Sequence, residues 1–143
     1  MKIEMTPIGV FYTREKKIPR HWSVSDVIGM IEIDKIYKNG LKDISKGQKI
    51  IVLFNFHKSR PFDPKYIIQT PPHKERPMGV FSICSPYRPN PIGLSVLTVL
   101  NIEANIISVN HVDMIDGTPI LDIKPYIEGK TDCPSYPQAS GEI

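Results

Sequence analysis

Cysteine is scarce in this sequence: two in 143 residues, Cys84 and Cys133, 49 positions apart. They form neither a CxxC pair nor a metal-ligand spacing, so a disulfide scaffold and a zinc ribbon are not expected. A reduced, cytoplasmic setting is the simple expectation. The nine glycines never crowd into a GxGxxG, and no P-loop is present. The phosphate-cradling loop of a parallel α/β sheet is therefore missing. The four histidines, His21, His57, His73 and His111, show no HxxxH pairing, so no metal is expected. No apolar run approaches the roughly 18 residues of a membrane span. The stretch from Met1 to Pro7 has no long apolar core behind its charge, so neither a membrane anchor nor a secretory signal is expected. Charge of one sign is also in short supply: the net charge is only +3. That permits a phosphate-rich partner without demanding one.

Proline is what the sequence has in excess, 14 residues, about twice the usual share. Proline breaks helix interiors, so strands joined by stiff loops are expected. Several segments alternate with a period of two, the mark of a strand. Met5 to Thr13 places Ile8, Val10 and Tyr12 in alternation. Ser25 to Ile33 sets Val27, Gly29, Ile31 and Ile33 on one face. Lys49 to Phe56 is a continuous apolar run and predicts a central strand buried on both faces. Met78 to Ile83 predicts another strand. Ile92 to Ile102 and Ile106 to Met114 predict a hairpin about Glu103-Ala104-Asn105, and Ile120 to Ile123 a short last strand. Between them lie loops at Arg14 to Trp22, Asp63 to Pro77 and Ser85 to Pro91, with one short helix expected in Ile36 to Ser45. The expected fold is an all-β, single-domain β-barrel with at most short helices. The barrel domain is placed at 1–127 and a polar C-terminal tail at 128–143.

Four segments carry chemistry. In Ser85-Pro86-Tyr87-Arg88-Pro89-Asn90-Pro91 three prolines stiffen a loop around one arginine and one asparagine. Such a loop orders itself cheaply around a ligand, and Arg88 offers a planar charged fork for carboxylate or phosphate. The plain alternative is a rigid turn whose arginine is spent locally. In Asp116-Gly117-Thr118-Pro119 the Asp-Gly pair marks a turn. Its amides and the Asp116 carboxylate suit ligand oxygens such as a ribose diol; an ordinary turn between strands is the alternative. Further on, Lys124 and Tyr126 alternate with Ile123 and present either a polar site face or a solvated one. Pro19-Arg20-His21-Trp22 groups a cation, an imidazole and an indole, a set that can sandwich a base or merely pack on the barrel. Phe56-His57-Lys58 closes the apolar strand, where polar residues sit at a barrel mouth or at a solvated strand end.

Taken together, these segments resemble the TrmO/TsaA-like (YaeB-type) methyltransferases. The resemblance runs from Ile8-Gly9-Val10 through Pro19-Arg20, Phe54-Asn55-Phe56-His57-Lys58 and Met78-Gly79-Val80-Phe81. It is carried most specifically by SPYRPNPIGLS at Ser85 to Ser95 and by DGTPILDIKPY at Asp116 to Tyr126. It implies a TsaA-like, class VIII barrel that binds S-adenosyl-L-methionine, acts as a homodimer and methylates tRNA at N6 of threonylcarbamoyladenosine, the modified base 3′ of the anticodon. Residue by residue, it implies cofactor contacts at Pro19, Arg20, His21, His57, Lys58, Leu94, Asp116, Gly117, Thr118 and Pro119. Two positions depart from the family pattern. Ile83-Cys84-Ser85-Pro86 stands where the family commonly reads TRSP, putting Cys84 at a cofactor-contacting arginine, and His21 stands where it reads glutamine in PRQ. Longer bacterial members also carry a C-terminal extension beyond the part matched here.

For methyl transfer the protein mainly positions the acceptor and excludes water. The acceptor nitrogen must lose a proton, and His57, Asp116 and Asp122 are the candidate bases. Arg88, Asn90, Lys124 and Tyr126 are the candidates for holding the tRNA. The rival expectations are a protein that binds or senses S-adenosylmethionine without methylating tRNA, and a methyltransferase for a small molecule or another RNA. Leu94, Val96 and Leu100 on one face of a strand, with Leu97 and Val99 on the other, give a second motive for the homodimer: a barrel interior buries only one set.

Overall fold

The computed structural model describes residues 1–129, 134 and 135. Cys133 and most of the expected tail lie outside the described residues. Eight strands form in chain order: β1 (Gly9–Tyr12), β2 (Gly29–Ile33), β3 (Lys49–Asn55), β4 (Ile68–Gln69), β5 (Met78–Gly79), β6 (Ile92–Glu103), β7 (Ile106–Asn110) and β8 (Pro119–Pro125). Six of them close an antiparallel barrel in the order β1-β2-β7-β6-β3-β8, and β4 and β5 pair separately. Among the described residues, helix is confined to short 3₁₀ turns at Trp22–Val24, Lys35–Leu41, Pro64–Ile67 and Val80–Ser82. The expected all-β barrel is the fold found, and closure leaves the apolar β3 without an open edge.

The core follows from strand alternation. Ile50, Val52 and Phe54 of β3 point inward, opposite Leu97 of β6 and Ile123 and Ile120 of β8. Phe11, Ile31, Ile33, Val99, Ile107 and Val109 complete the filling, nearly all of them without solvent exposure. Two glycines make room for the largest side chains. A Cβ on Gly93 would overlap the ring of Phe54, its cross-strand partner, and one on Gly29 would overlap the ring of Phe11. β6 is long enough to serve two neighbours. Its first half pairs with β3 and its second with β7, and an irregularity between Val99 and Asn101 turns it around the barrel corner. The hairpin to β7 closes on Ala104, which takes a φ of 54°, and Asn105 Nδ2 donates to Ile33 O at 2.6 Å.

Several expectations are corrected. In β1 (Gly9–Tyr12) the inward positions are Gly9 and Phe11, while Val10 is half-buried, Tyr12 is exposed, and Ile8, ahead of the strand, packs half-buried against the core; the inward face is set by the one aromatic at an odd position. β3 is fully buried on one face only. Ile51 and Leu53 on the other are half-buried, because a barrel wall has one dry side. Met78 to Ile83 is not one strand: β5 ends at Gly79 and Val80–Ser82 turns as 3₁₀. Asp63 to Pro77 is not wholly irregular, since it contains the Pro64–Ile67 turn, started by Asp63 Oδ1 accepting from Lys65 N at 2.9 Å, and β4. β7 stops at Asn110 because His111 takes a φ of 66°. β8 extends beyond Ile123 to Pro125.

Candidate functional site

β3 delivers the chain to the barrel mouth. Beyond Asn55, Phe56 N–H bonds to Pro91 O at 2.8 Å and His57 N–H to Asn55 O at 2.8 Å, so the segment curls over the rim. There it faces the Met114–Thr118 turn. The two segments, with Pro86 and Tyr87, enclose a cleft of about 280 Å³. Its floor is apolar: Phe54 and Phe56 meet edge-on at 5.1 Å, beside Met114. Its polar groups include Asn55, His57, Lys58, Ser59, Arg60, Asp113 and Thr118. Apolar walls with a few converging polar groups are the usual make-up of a small-molecule site.

The turn is rigid. Gly117, at a φ of 84°, donates its N–H to Phe11 O at 2.8 Å, and Thr118 Oγ1 donates to Ile115 O at 2.7 Å. Thr118 N–H also bonds to Ile115 O, at 3.3 Å, so these turn amides are spent within the fold. Asp116 is exposed, and its Oδ1 accepts from Thr13 N at 3.0 Å, tying the end of β1 to the turn. A Cβ on Gly117 would lie in ordinary contact with His57 Nε2, at 3.8 Å, so the positive φ, not crowding, calls for glycine here. Pro119 opens β8 opposite Val10.

The loop after β5 is braced from within. Arg88 Nη1 donates to Ile83 O at 3.0 Å and to Ser85 O at 3.1 Å, so this arginine holds its own loop together. Tyr87 is fixed further: Gln69 Nε2 donates to its carbonyl at 2.7 Å, and its ring stacks on Tyr66 at 5.0 Å. Asn90 is exposed beside this loop, and Cys84 is exposed as a free thiol.

Asp113 is the residue that reading the sequence missed. It is half-buried between Val112 and Met114, both almost wholly buried, and Ser95 Oγ, itself buried, donates to its Oδ1. Burial raises its pKa above the usual carboxylate value. Hydrogen bonds from Ser95 and from the Asp113 and Trp22 amides, together with the positive field of His21, pull the other way without cancelling it. His21 and the Trp22 amide lie near Asp113, but Pro19, Arg20 and His21 do not line the cleft. Pro19 and His21 are half-buried and Arg20 is exposed. His21 Nδ1 lies 2.7 Å from Ser23 Oγ, and its ring lies against Trp22 at 5.1 Å.

Other expected site residues stand elsewhere. Asp122 and Lys124 pair with Leu53 and Ile51, which places them on the outer wall, where Lys124 Nζ meets Asp122 Oδ2 at 3.0 Å. Leu94 is on that wall too, opposite Leu53, and is 50% exposed. Tyr126 borders a smaller depression of about 190 Å³ with Trp22 and His111, and Lys49 Nζ lies 5.6 Å from its ring centre. Of the expected site residues the cleft is lined by His57, Lys58 and Thr118; Leu94, Asp122, Lys124 and Tyr126 stand elsewhere, and Pro19, Arg20, His21, Arg88, Asn90, Asp116, Gly117 and Pro119 do not line it. Among the described residues, no group of three or more His, Cys, Asp or Glu side chains is placed to hold a metal, and no helix is long and apolar enough to cross a membrane.

Residues 8–133 match the family described as the tRNA-methyltransferase O N-terminal domain. A protein of Pyrococcus abyssi, named a probable S-adenosyl-L-methionine-binding protein, is 38% identical over 85% of this chain and 66% of its own length. An Archaeoglobus fulgidus protein, named an S-adenosyl-L-methionine-binding protein, is 36% identical over 90% of this chain and 92% of its own. The mouse protein named tRNA (adenine(37)-N6)-methyltransferase is 41% identical over 63% of this chain and 21% of its own. Among solved structures, TrmO from Pseudomonas aeruginosa superposes with a TM-score of 0.71 and 28% identity, over 89% of this chain and 57% of that one. The chain therefore spans about two thirds or less of most of these relatives.

Proposed function

Because the chain belongs to the tRNA-methyltransferase O N-terminal domain family, we propose that it binds S-adenosyl-L-methionine in the cleft beyond β3 and transfers its methyl group to tRNA. The acceptor in this reading is N6 of threonylcarbamoyladenosine, the modified adenosine 3′ of the anticodon. The observation that carries the reading is the convergence of two segments far apart in sequence, His57-Lys58 and the turn ending at Thr118, on one apolar-floored cleft that also holds a carboxylate. That lining suits a ligand with an apolar, positively charged centre and polar ends.

When bound, S-adenosylmethionine supplies a methyl group already activated on sulfur. The chain's own work is placement. Phe54, Phe56 and Met114 exclude water from the floor. Lys58 and Arg60, exposed at the rim, attract the phosphates of an RNA. His57, half-buried in the cleft, is the preferred base for the acceptor's proton. Asp116 is tied to the Thr13 amide and Asp122 is ion-paired on the outer wall, so both are demoted. Arg88 acts by holding the loop that bears Tyr87, while Asn90, Lys124 and Tyr126 meet the tRNA outside the cleft. A homodimer belongs to the same reading, supported by the exposed Leu94 on the wall between β3 and β6. So do a cytoplasmic setting and a barrel domain ending near residue 127.

The test is incubation with methyl-labelled cofactor and total tRNA, followed by mass spectrometry of the nucleosides. N6-methylated threonylcarbamoyladenosine is the expected product. A second reading is a cofactor-binding protein without tRNA methylation. It is favoured by Cys84 at a position where the family carries arginine, and by the Archaeoglobus relative of matching length that is named for binding alone. Cofactor binding without any labelled nucleoside would select it.

A further inference from the structure

We propose that Asp113 is the counter-charge by which the cleft tells a sulfonium from a neutral thioether, so that it favours the methyl donor over the demethylated product. The inference rests on the reading that this cleft holds S-adenosylmethionine. Three observations carry it. First, Asp113 is the single carboxylate among the described residues that line the cleft, and it stands beside Phe54, Met114 and Tyr87. Second, the carboxylate is held in place: Ser95 Oγ, in a wholly buried residue, donates to Oδ1. Third, the anion is under-compensated. Its pKa stays raised although Ser95, two backbone amides and His21 all favour the charged form.

A buried anion short of positive partners gains most from a cation placed against it, because the surrounding apolar walls screen the attraction poorly. Donor and product carry the same nucleoside, ammonium and carboxylate groups. They differ in one methyl and in the positive charge on sulfur. A carboxylate near the sulfur therefore stabilises the donor alone, and the faces of Phe54, Phe56 and Tyr87 add a weaker attraction of the same sign. Lys58 is exposed, as is Arg60, and both are well hydrated, so they oppose this field only weakly.

The experiment is calorimetric titration of the wild-type chain, Asp113→Asn and Ser95→Ala with S-adenosylmethionine and, separately, with S-adenosylhomocysteine. Asparagine keeps the shape and the acceptor for Ser95 but removes the charge. Asp113→Asn is expected to weaken S-adenosylmethionine about tenfold and to leave S-adenosylhomocysteine within about twofold, as the loss of one charge contact predicts. Ser95→Ala keeps the carboxylate but removes the bond that holds it and favours its charged form, so the preference should shrink. Retained S-adenosylhomocysteine binding shows that the variant is folded. An equal loss of both ligands, or no loss of either, overturns the proposal and leaves Asp113 as a bracket between β6 and the Trp22 turn. Should Asp113→Asn fail to fold, the wild type decides: equal affinity for the two ligands overturns the proposal. A wild type that binds neither ligand refutes the cofactor reading itself, an outcome distinct from all the others.

Discussion

The barrel interior and the rim above it use their residues in opposite ways. Inside, Phe11, Ile31, Leu97, Val99 and Ile107 exclude water completely, and the strands around them close into one barrel. At the rim, turns are held by a few hydrogen bonds, such as Thr13 N to Asp116 Oδ1 and Gly117 N to Phe11 O, and a carboxylate is kept partly dry against its preference. Burial of apolar area stabilises the fold, whereas burial of Asp113 costs stability. A cost of that kind persists where a group has work to do. Asp113 and Asp116 show the contrast within three positions: one is exposed and structural, the other sheltered and under-compensated.

Substitutions can break this comparison, and the largest effect is expected inside. Leu97→Ala should lower stability by about 2–5 kcal/mol, because the closed wall cannot collapse onto the cavity. Urea unfolding monitored by circular dichroism reads it, and a loss below about 1 kcal/mol would mean the interior is loosely packed. Gly93→Val follows. The new side chain meets the Phe54 ring, and over-packing of this kind costs about 1–3 kcal/mol. Because Phe54 also lines the cleft, the same variant should weaken cofactor binding, which calorimetry can follow.

At the rim the expected changes are smaller. Asp116→Ala removes the acceptor of the Thr13 amide and should cost about 1 kcal/mol by urea unfolding, since the site is exposed and water replaces the bond. An unchanged midpoint would show that the turn needs no tie to β1. Asp113→Asn reverses the sign. A carboxyl whose pKa is raised in the folded state favours folding while it is protonated, and that advantage is lost as pH rises through the folded pKa. At neutral pH the aspartate is therefore a liability and Asp113→Asn should melt higher than wild type. The gap should close as pH falls toward the ordinary carboxylate value of 3.8. Thermal melts across that range check it; a gap that widens in acid would contradict the burial argument.

Much of this was legible beforehand. Alternation identified β2 and the β6–β7 hairpin, and the proline excess excluded long helices. The motifs brought out His57-Lys58 and Asp116 to Pro119, and the cleft unites His57 and Lys58 with Thr118. Alternation failed in β1, where Phe11 alone decides the inward face, and at Met78 to Ile83, where an apolar run turns after two paired residues. Asp113 left a signal that alternation does not weigh: an acid between two apolar residues, Val112 and Met114, just ahead of a turn motif.

By itself the sequence determined what short-range physics controls: strand periodicity, the stiffness of the proline loops, the Asp-Gly turn and the absence of a glycine-rich nucleotide loop. Tertiary structure alone decided which polar residues face the cleft. Lys124 and Tyr126 belong to the same motif as Asp116, yet β8 pairing sends Lys124 to the outer wall and Tyr126 to a separate depression. Arg88 reads as a free charged fork until its loop folds back and spends Nη1 on two carbonyls. Asp113 acquires its raised pKa only when closure of the barrel buries it, and Ser95, Trp22 and His21, brought in by the same folding, oppose that rise without cancelling it; desolvation depends on neighbours distant in the chain.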